Sequence, residues 1–326
     1  MRRREFITLL GGAATVWPMA ARAQSSKLPL IGFLSSGSPS PLRDPLSAFH
    51  QALAGEGFVE NQNVTIEYRW AEGDYTRLPS LAAELVWRPL SLIVAMPTQS
   101  ALAAQAATPS VPIVFYTGGD PVELGLVTSF NRPGRNLTGV SQFSGVLGPK
   151  RLELLKELVP TARKLAVLVN PDSPISQSQI KLAQASARVL SIQLVILKAR
   201  AESEIEAAVR AVIDQGANGL VVEGDSFFNS RRDKFVSVAA RYEIPTVYEF
   251  REFVLGGGLC SYGVSNADAF RQVGVYAGRI LKGEKATDLP VVQPTKFELA
   301  INLKAAKALT LEISPTLLAR ADEVIE

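Results

Sequence analysis

Small hydroxyl residues and acids recur in this chain directly after short apolar runs. Ser35-Ser36-Gly37 follows one run and Thr98-Gln99-Ser100 another, while Tyr116 leads into Thr117-Gly118-Gly119-Asp120. Further on, Asp225 follows Glu223-Gly224, and Tyr248 ends a run before Glu249. If the runs are strands of an open parallel sheet, the residues just beyond them line the crevice where ligands bind, beside helix N-termini. The chemistry on offer is capture. Hydroxyls, backbone N–H groups and a helix N-terminus take a carboxylate, with Thr98 placed as the N-cap of an alanine-rich helix. Acids take an amine, and rings such as Trp70 and Tyr116 cover an apolar part. The same residue types also serve plain turns and caps, and Trp70 equally suits a packed core. The candidate ligand contacts are Ser35, Ser36, Gly37, Trp70, Thr98, Gln99, Ser100, Tyr116, Asp120, Asp225 and Tyr248.

Bond-breaking chemistry finds no comparable support. The single histidine, His50, sits at the edge of an amphipathic stretch, Leu46 to Leu53, and the single cysteine, Cys260, lies in an apolar run. One of each excludes a Cys/His zinc cluster and a Ser-His-Asp or Cys-His nucleophile system. Gly145 to Arg151 has glycines and a lysine without the spacing of a phosphate-binding loop. Glu223 and Asp225 share one loop, a poor geometry for two carboxylates flanking a glycosidic bond. The expectation is a protein that is not an enzyme and carries no cofactor or metal.

The first residues predict export. Arg2-Arg3-Arg4-Glu5-Phe6 precedes an apolar run from Ile7 to Trp17 and an Ala21-Arg22-Ala23 cleavage box. That order is a secretory signal over 1–23, and Arg3-Arg4 with Phe6 gives it the twin-arginine form. No cysteine stands at the cleavage site for a lipid anchor, so the expected product is soluble and periplasmic. Of the 326 residues, 47% are hydrophobic and 20% charged, a globular composition. The formal charge of +3 is supplied wholly by the four leader arginines set against Glu5. The remainder is neutral, which argues against a nucleic-acid partner.

Apolar runs alternate with helical periodicity from Pro29 onward. Strands are predicted over 29–35, 64–70, 90–96, 112–116 and 137–143, with helices between most of them. The pattern restarts after Pro149 with strands over 165–170, 193–197, 219–223, 245–248, 258–262 and 297–303. Such alternation builds parallel sheets covered on both faces. Two series predict an α/β protein of two doubly wound, Rossmann-like lobes.

A series of segments runs in order along the chain: Ile31-Gly32-Phe33-Leu34, Tyr68-Arg69-Trp70-Ala71-Glu72-Gly73-Asp74, Pro112-Ile113-Val114-Phe115 and Asp120-Pro121-Val122. It continues through Gly125-Leu126-Val127, Pro133 to Val140, Ile280 to Glu284 and Ala321 to Glu326. In these segments the chain resembles the ABC-transporter substrate-binding proteins of the tryptophan/tyrosine type, which have the type I periplasmic-binding-protein fold. The resemblance implies a monomeric receptor that closes on a small carboxylate-bearing ligand, amino-acid-like or aromatic, and docks on an ABC permease with its ATPase. It also implies that Ser36, Thr98, Gln99 and Ser100 hold the carboxylate and that Asp225 faces the ligand. Three crossings between lobes are implied, near 144–149, 248–251 and 283–290. These give a first lobe of 24–146 plus 251–284 and a second of 147–250 plus 285–326. A solute sensor of the same fold is the alternative, and a hydrolase in the same cleft is the weaker one, since its loops offer only acids and tyrosines as bases.

Overall fold

The computed structural model describes residues 28–142 and 144–326; the leader over 1–23 lies outside the described residues. The first sheet contains β1 (Leu30–Ser35), β2 (Thr65–Trp70), β3 (Leu92–Met96), β4 (Ile113–Thr117) and β5 (Leu137–Ser141). Its order is β2-β1-β3-β4-β5 and every pairing is parallel. The second sheet contains β6 (Lys164–Val169), β7 (Gln193–Lys198), β8 (Leu220–Val222), β9 (Thr246–Tyr248), β10 (Cys260–Val264), β11 (Phe297–Asn302) and β12 (Glu323–Ile325). Its order is β12-β11-β10-β9-β8-β6-β7, parallel except where β10 meets β11. The strands β1, β3, β4 and β6 are buried almost end to end, as central strands covered on both faces must be, and so is the edge strand β5.

The helices are α1 (Arg43–Gly55), α2 (Leu78–Val86), α3 (Thr98–Ala107), α4 (Ser144–Leu158), α5 (Ser176–Val189) and α6 (Glu202–Asp214). They continue with α7 (Ser226–Ser230), α8 (Arg232–Arg241), α9 (Arg251–Leu255), α10 (Asn266–Leu281), α11 (Leu303–Ala308) and α12 (Pro315–Ala319). In the first lobe, α1 and α10 cover one face through Phe49, Leu53, Phe270, Val273 and Ala277 against Phe33 and Val94 of the sheet. Leu81, Leu85, Ala101 and Ala104 of α2 and α3 cover the other face. In the second lobe, Leu154, Leu155 and Leu158 of α4 pack with Val167 and Val221, and Phe228 and Phe235 close the opposite face.

The lobe boundaries differ from the expected ones at each crossing. Ser144 to Pro149, expected as the connecting loop, opens α4 instead, so the chain has already crossed where that helix begins. Gly148 packs close to the buried Glu223, since an added Cβ would stand 2.6 Å from Glu223 Oε1; tertiary packing of α4 overrides the weak helix propensity of the stretch. Residues 251–264 belong to the second lobe, since β10 pairs with β9, Cys260 opposite Val247. The chain reaches the first lobe only at α10, and residues 285–292 stay there. Ala286 and Leu289 join its core and Val292 bridges to Val140. The last crossing therefore falls at 293–296, ahead of β11.

Candidate functional site

Both sheets end their parallel strands on one cleft, and a cavity lies in it between the lobes. The first-lobe wall is formed by Ser35, Gly37 and Ser38 after β1, Pro97, Thr98 and Gln99 after β3, and Tyr116 and Gly118 at the end of β4. The second-lobe wall is formed by Ser173 after β6, Gly224, Asp225 and Ser226 after β8, and Glu249 and Phe250 after β9. Gln142 and Asn266 enter beside the first two crossings. Leu42, Met96, Ile175 and Phe270 supply the apolar part.

The first-lobe wall is polar and hydrogen-bonded within itself. Ser35 Oγ accepts from Gly37 N–H at 3.1 Å, which folds the chain sharply after β1. Thr98 Oγ1 lies 2.8 Å from Thr117 Oγ1 and accepts from Gly118 N–H at 3.2 Å. Thr98 is thus the first residue of α3 and not its cap; Pro97 takes the cap position. The positive end of the α3 dipole still borders the cavity at Thr98 and Gln99.

Asp225 is bonded from several sides within the cleft. Its Oδ1 accepts from Tyr75 Oη at 2.6 Å, from Asn170 Nδ2 at 2.9 Å and from Phe227 N–H at 3.0 Å, the last as the cap of α7. Gln99 Nε2 approaches Oδ2 at 3.4 Å. Tyr75 and Gln99 come from the first lobe, so the lobes are joined through this carboxylate. Ser36 Oγ and Ser226 Oγ, 2.7 Å apart, add a second link, and Arg232 Nη1 donates across to Pro41 O at 3.4 Å. The lobes are closed on one another. Burial raises the Asp225 carboxyl above the usual aspartate range, partly offset by donors from Tyr75, Asn170 and Phe227.

A second polar group forms the cavity floor. Tyr116 Oη donates to Gln142 Oε1 and stands 3.3 Å from Asn266 Oδ1. Gln142 Nε2 donates to Glu249 Oε1 at 3.4 Å. Burial, then the charges of Glu249 and Glu252, push the Tyr116 hydroxyl well above its ordinary range, so it keeps its proton.

The cleft gathers Ser35, Gly37, Thr98, Gln99, Tyr116 and Asp225 of the sequence candidates. Ser36 is buried at its edge and spends its hydroxyl on Ser226. Four candidates do not line it. Trp70 packs against Phe33 and stacks parallel to Tyr68 on the core of the first lobe. Ser100 is turned back, donating to Met96 O at 3.0 Å. Asp120 accepts from Val122 N–H at 2.8 Å in a local turn. Tyr248 stacks on Phe253 inside the second lobe. Strand alternation explains the last: Tyr248 and Glu249 face opposite ways, so the cleft receives Glu249. Sequence reasoning also missed Gln142, Ser173 and Asn266. All three follow strands, Gln142 directly after β5, Asn266 two residues after β10 and Ser173 four residues after β6, so the rule that selected the others could have found them.

Two open α/β sheets closed over a cavity lined from both sides define a two-lobed solute receptor. The sequence matches the family of ABC transporter substrate binding proteins over residues 38–325, and the chain belongs to that family. Its members bind solutes and are not enzymes. Among described residues no helix is long and apolar enough to cross a membrane, and no group of acids, histidines and cysteines is placed to hold a metal.

A protein described as a tyrosine-binding protein from Clostridioides difficile strain R20291 is 29% identical over 291 residues, 89% of this chain and 84% of that one. An ABC domain from Streptococcus pneumonia in complex with L-Trp is 26% identical, with 91% of this chain and all of that one covered and a TM-score of 0.84. A ligand-free, open substrate-binding protein from Clostridium difficile is also 26% identical, over 92% and 99% of the two chains, yet its TM-score is 0.65. Equal identity with a lower score against the open form is what a closed arrangement of the lobes produces.

Proposed function

We propose that this chain captures an amino-acid-like solute between its lobes in the periplasm, as a monomer, and delivers it to an ABC permease with its ATPase. The observation that carries this is a cavity lined from both lobes, with a helix N-terminus and hydroxyls on one wall, acids on the other and apolar side chains between. The ligand carboxylate belongs at Ser35, Gly37, Thr98 and Gln99, where the α3 dipole favours an anion. The apolar part belongs against Leu42, Met96 and Phe270. The relatives described as binding tyrosine and tryptophan make aromatic amino acids the first ligands to try. Ligand contact with both walls favours the closed state, since a ligand shifts a conformational equilibrium by its differential affinity.

The test is thermal unfolding of the purified protein with each amino acid and with aromatic and aliphatic carboxylates. A true ligand at 100 times its dissociation constant adds about 2.7 kcal/mol of stability. Thr98→Val is expected to weaken that ligand by removing the hydroxyl from the wall. Turnover of any probe, with no saturable binding, would reject the receptor reading. Arg3→Lys with Arg4→Lys blocking export would place residues 1–23 on the twin-arginine route.

A further inference from the structure

Asp225 is the acid expected to face the ligand, but the donors around it describe another task. Its Oδ1 already receives Tyr75, Asn170 and the Phe227 amide, and Gln99 approaches Oδ2. Two of those four donors come across the cleft. The carboxylate is thus engaged by protein when the lobes meet.

Glu249 is the other acid of the cavity wall. It lines the cavity, is only 4% exposed, and stands at the end of β9 on the cleft face. The fold makes room for its carboxylate with glycine: a Cβ on Gly224 would lie 2.0 Å from Glu249 Oε2. Gly263 does the same for its backbone, since a Cβ there would stand 2.2 Å from Glu249 O. Gln142, beside the first crossing, reaches the same carboxylate and is tied through Tyr116 to Asn266, beside the second. Asp225 and Glu249 are the charged side chains of the cavity wall; no lysine, arginine or histidine is among its lining residues. A ligand with net negative charge meets two carboxylates there and no base, an uncomplementary field.

We propose that Glu249 determines specificity by holding the protonated amine of the ligand, while Asp225 serves lobe closure. This rests on the receptor reading above and deepens it: the solute class is one that carries an ammonium group, and the same skeleton without the amine is refused. Because Gln142 links Glu249 to the crossing strand, an ammonium at Glu249 also bears on the hinge.

The experiment is calorimetric titration of three matched pairs: L-tyrosine with hydroxyphenylpropanoate, L-tryptophan with indolepropanoate, and L-leucine with methylpentanoate. In the wild type, the amine-bearing member of a bound pair should be about 10- to 100-fold tighter, the value of a hydrogen-bonded charge pair. Glu249→Gln should collapse that ratio toward unity, whereas Asp225→Asn should weaken both members and keep the ratio. Equal affinity within the pairs overturns the proposal with no variant needed, and so does an amine preference that survives Glu249→Gln and vanishes in Asp225→Asn. A wild type that binds none of the six compounds rejects the amino-acid-like reading itself, and the role of Glu249 with it.

Discussion

Arg151 and Glu223 lie out of solvent together, with Arg151 Nη2 donating to Glu223 Oε2 at 2.5 Å and the two side chains 0% and 1% exposed. Arg151 also reaches Tyr262 O at 3.3 Å, while Glu223 Oε1 has no hydrogen-bond partner. Removing the arginine strands a carboxylate in a low-dielectric interior. Arg151→Leu is therefore expected to cost about 3–5 kcal/mol in denaturant unfolding, and adding Glu223→Leu should restore much of it. A single variant as stable as the wild type would show that water reaches Glu223. Nothing in the spacing of residues 151 and 223 advertises this pair; the sequence shows an arginine in a helix and an acid after a strand. The cleft hydroxyls were more legible, because they follow strands directly and their place is set by the sheet. Glu249 was missed by one residue for want of the side-chain register of β9, which only the pairing with β8 and β10 supplies.

At the scale of elements, α1 and α10 meet with almost no side chain between them. A Cβ on Gly274 would stand 2.5 Å from Phe49 O, and one on Gly278 2.3 Å from Glu56 Cβ. This approach sets the position of α1 and of Pro41 and Leu42 before it, both of which border the cavity. Gly274→Val is expected to destabilise by about 1–3 kcal/mol through overpacking against α1, read as a lowered melting temperature, and to weaken ligand binding with it. Unchanged melting would mean that α1 can slide freely on α10. Both helices were legible from their 3.6-residue periodicity, as were the parallel strands from their apolar runs. The assignment of β10 was not. Its apolar run fits either sheet, and what decides is non-local: pairing with β9 on one side and antiparallel with β11 on the other.

For the whole molecule, closure is written in few bonds, and one of them titrates. In the closed form Tyr75 covers Asp225, burial raises the aspartate carboxyl, and the Tyr75 hydroxyl is pushed well up by burial and by the charge of Asp225. In an open form Asp225 faces solvent and returns toward the ordinary aspartate value of about 3.9. The closed form thus holds the proton more tightly, so proton binding favours closure. The bias is fully present below the ordinary value and is lost as pH rises through the raised one. Without ligand, small-angle scattering should therefore give a smaller radius of gyration as the solution is acidified from neutrality, and Asp225→Asn should flatten the response. A radius that grows or stays fixed on acidification would remove Asp225 from the closure equilibrium. Tyr75→Phe deletes the hydroxyl itself. It leaves the ligand walls intact, so any loss of affinity reports the reduced closed fraction. One neutral-to-charged hydrogen bond corresponds to roughly a 10-fold loss in affinity, accompanied by a larger radius in the unliganded state that saturating ligand reverses. A Tyr75→Phe protein that binds as the wild type does would instead place closure in the other cross-lobe bonds, those of Gln99 with Asp225 and Ser173, Ser36 with Ser226 and Arg232 with Pro41.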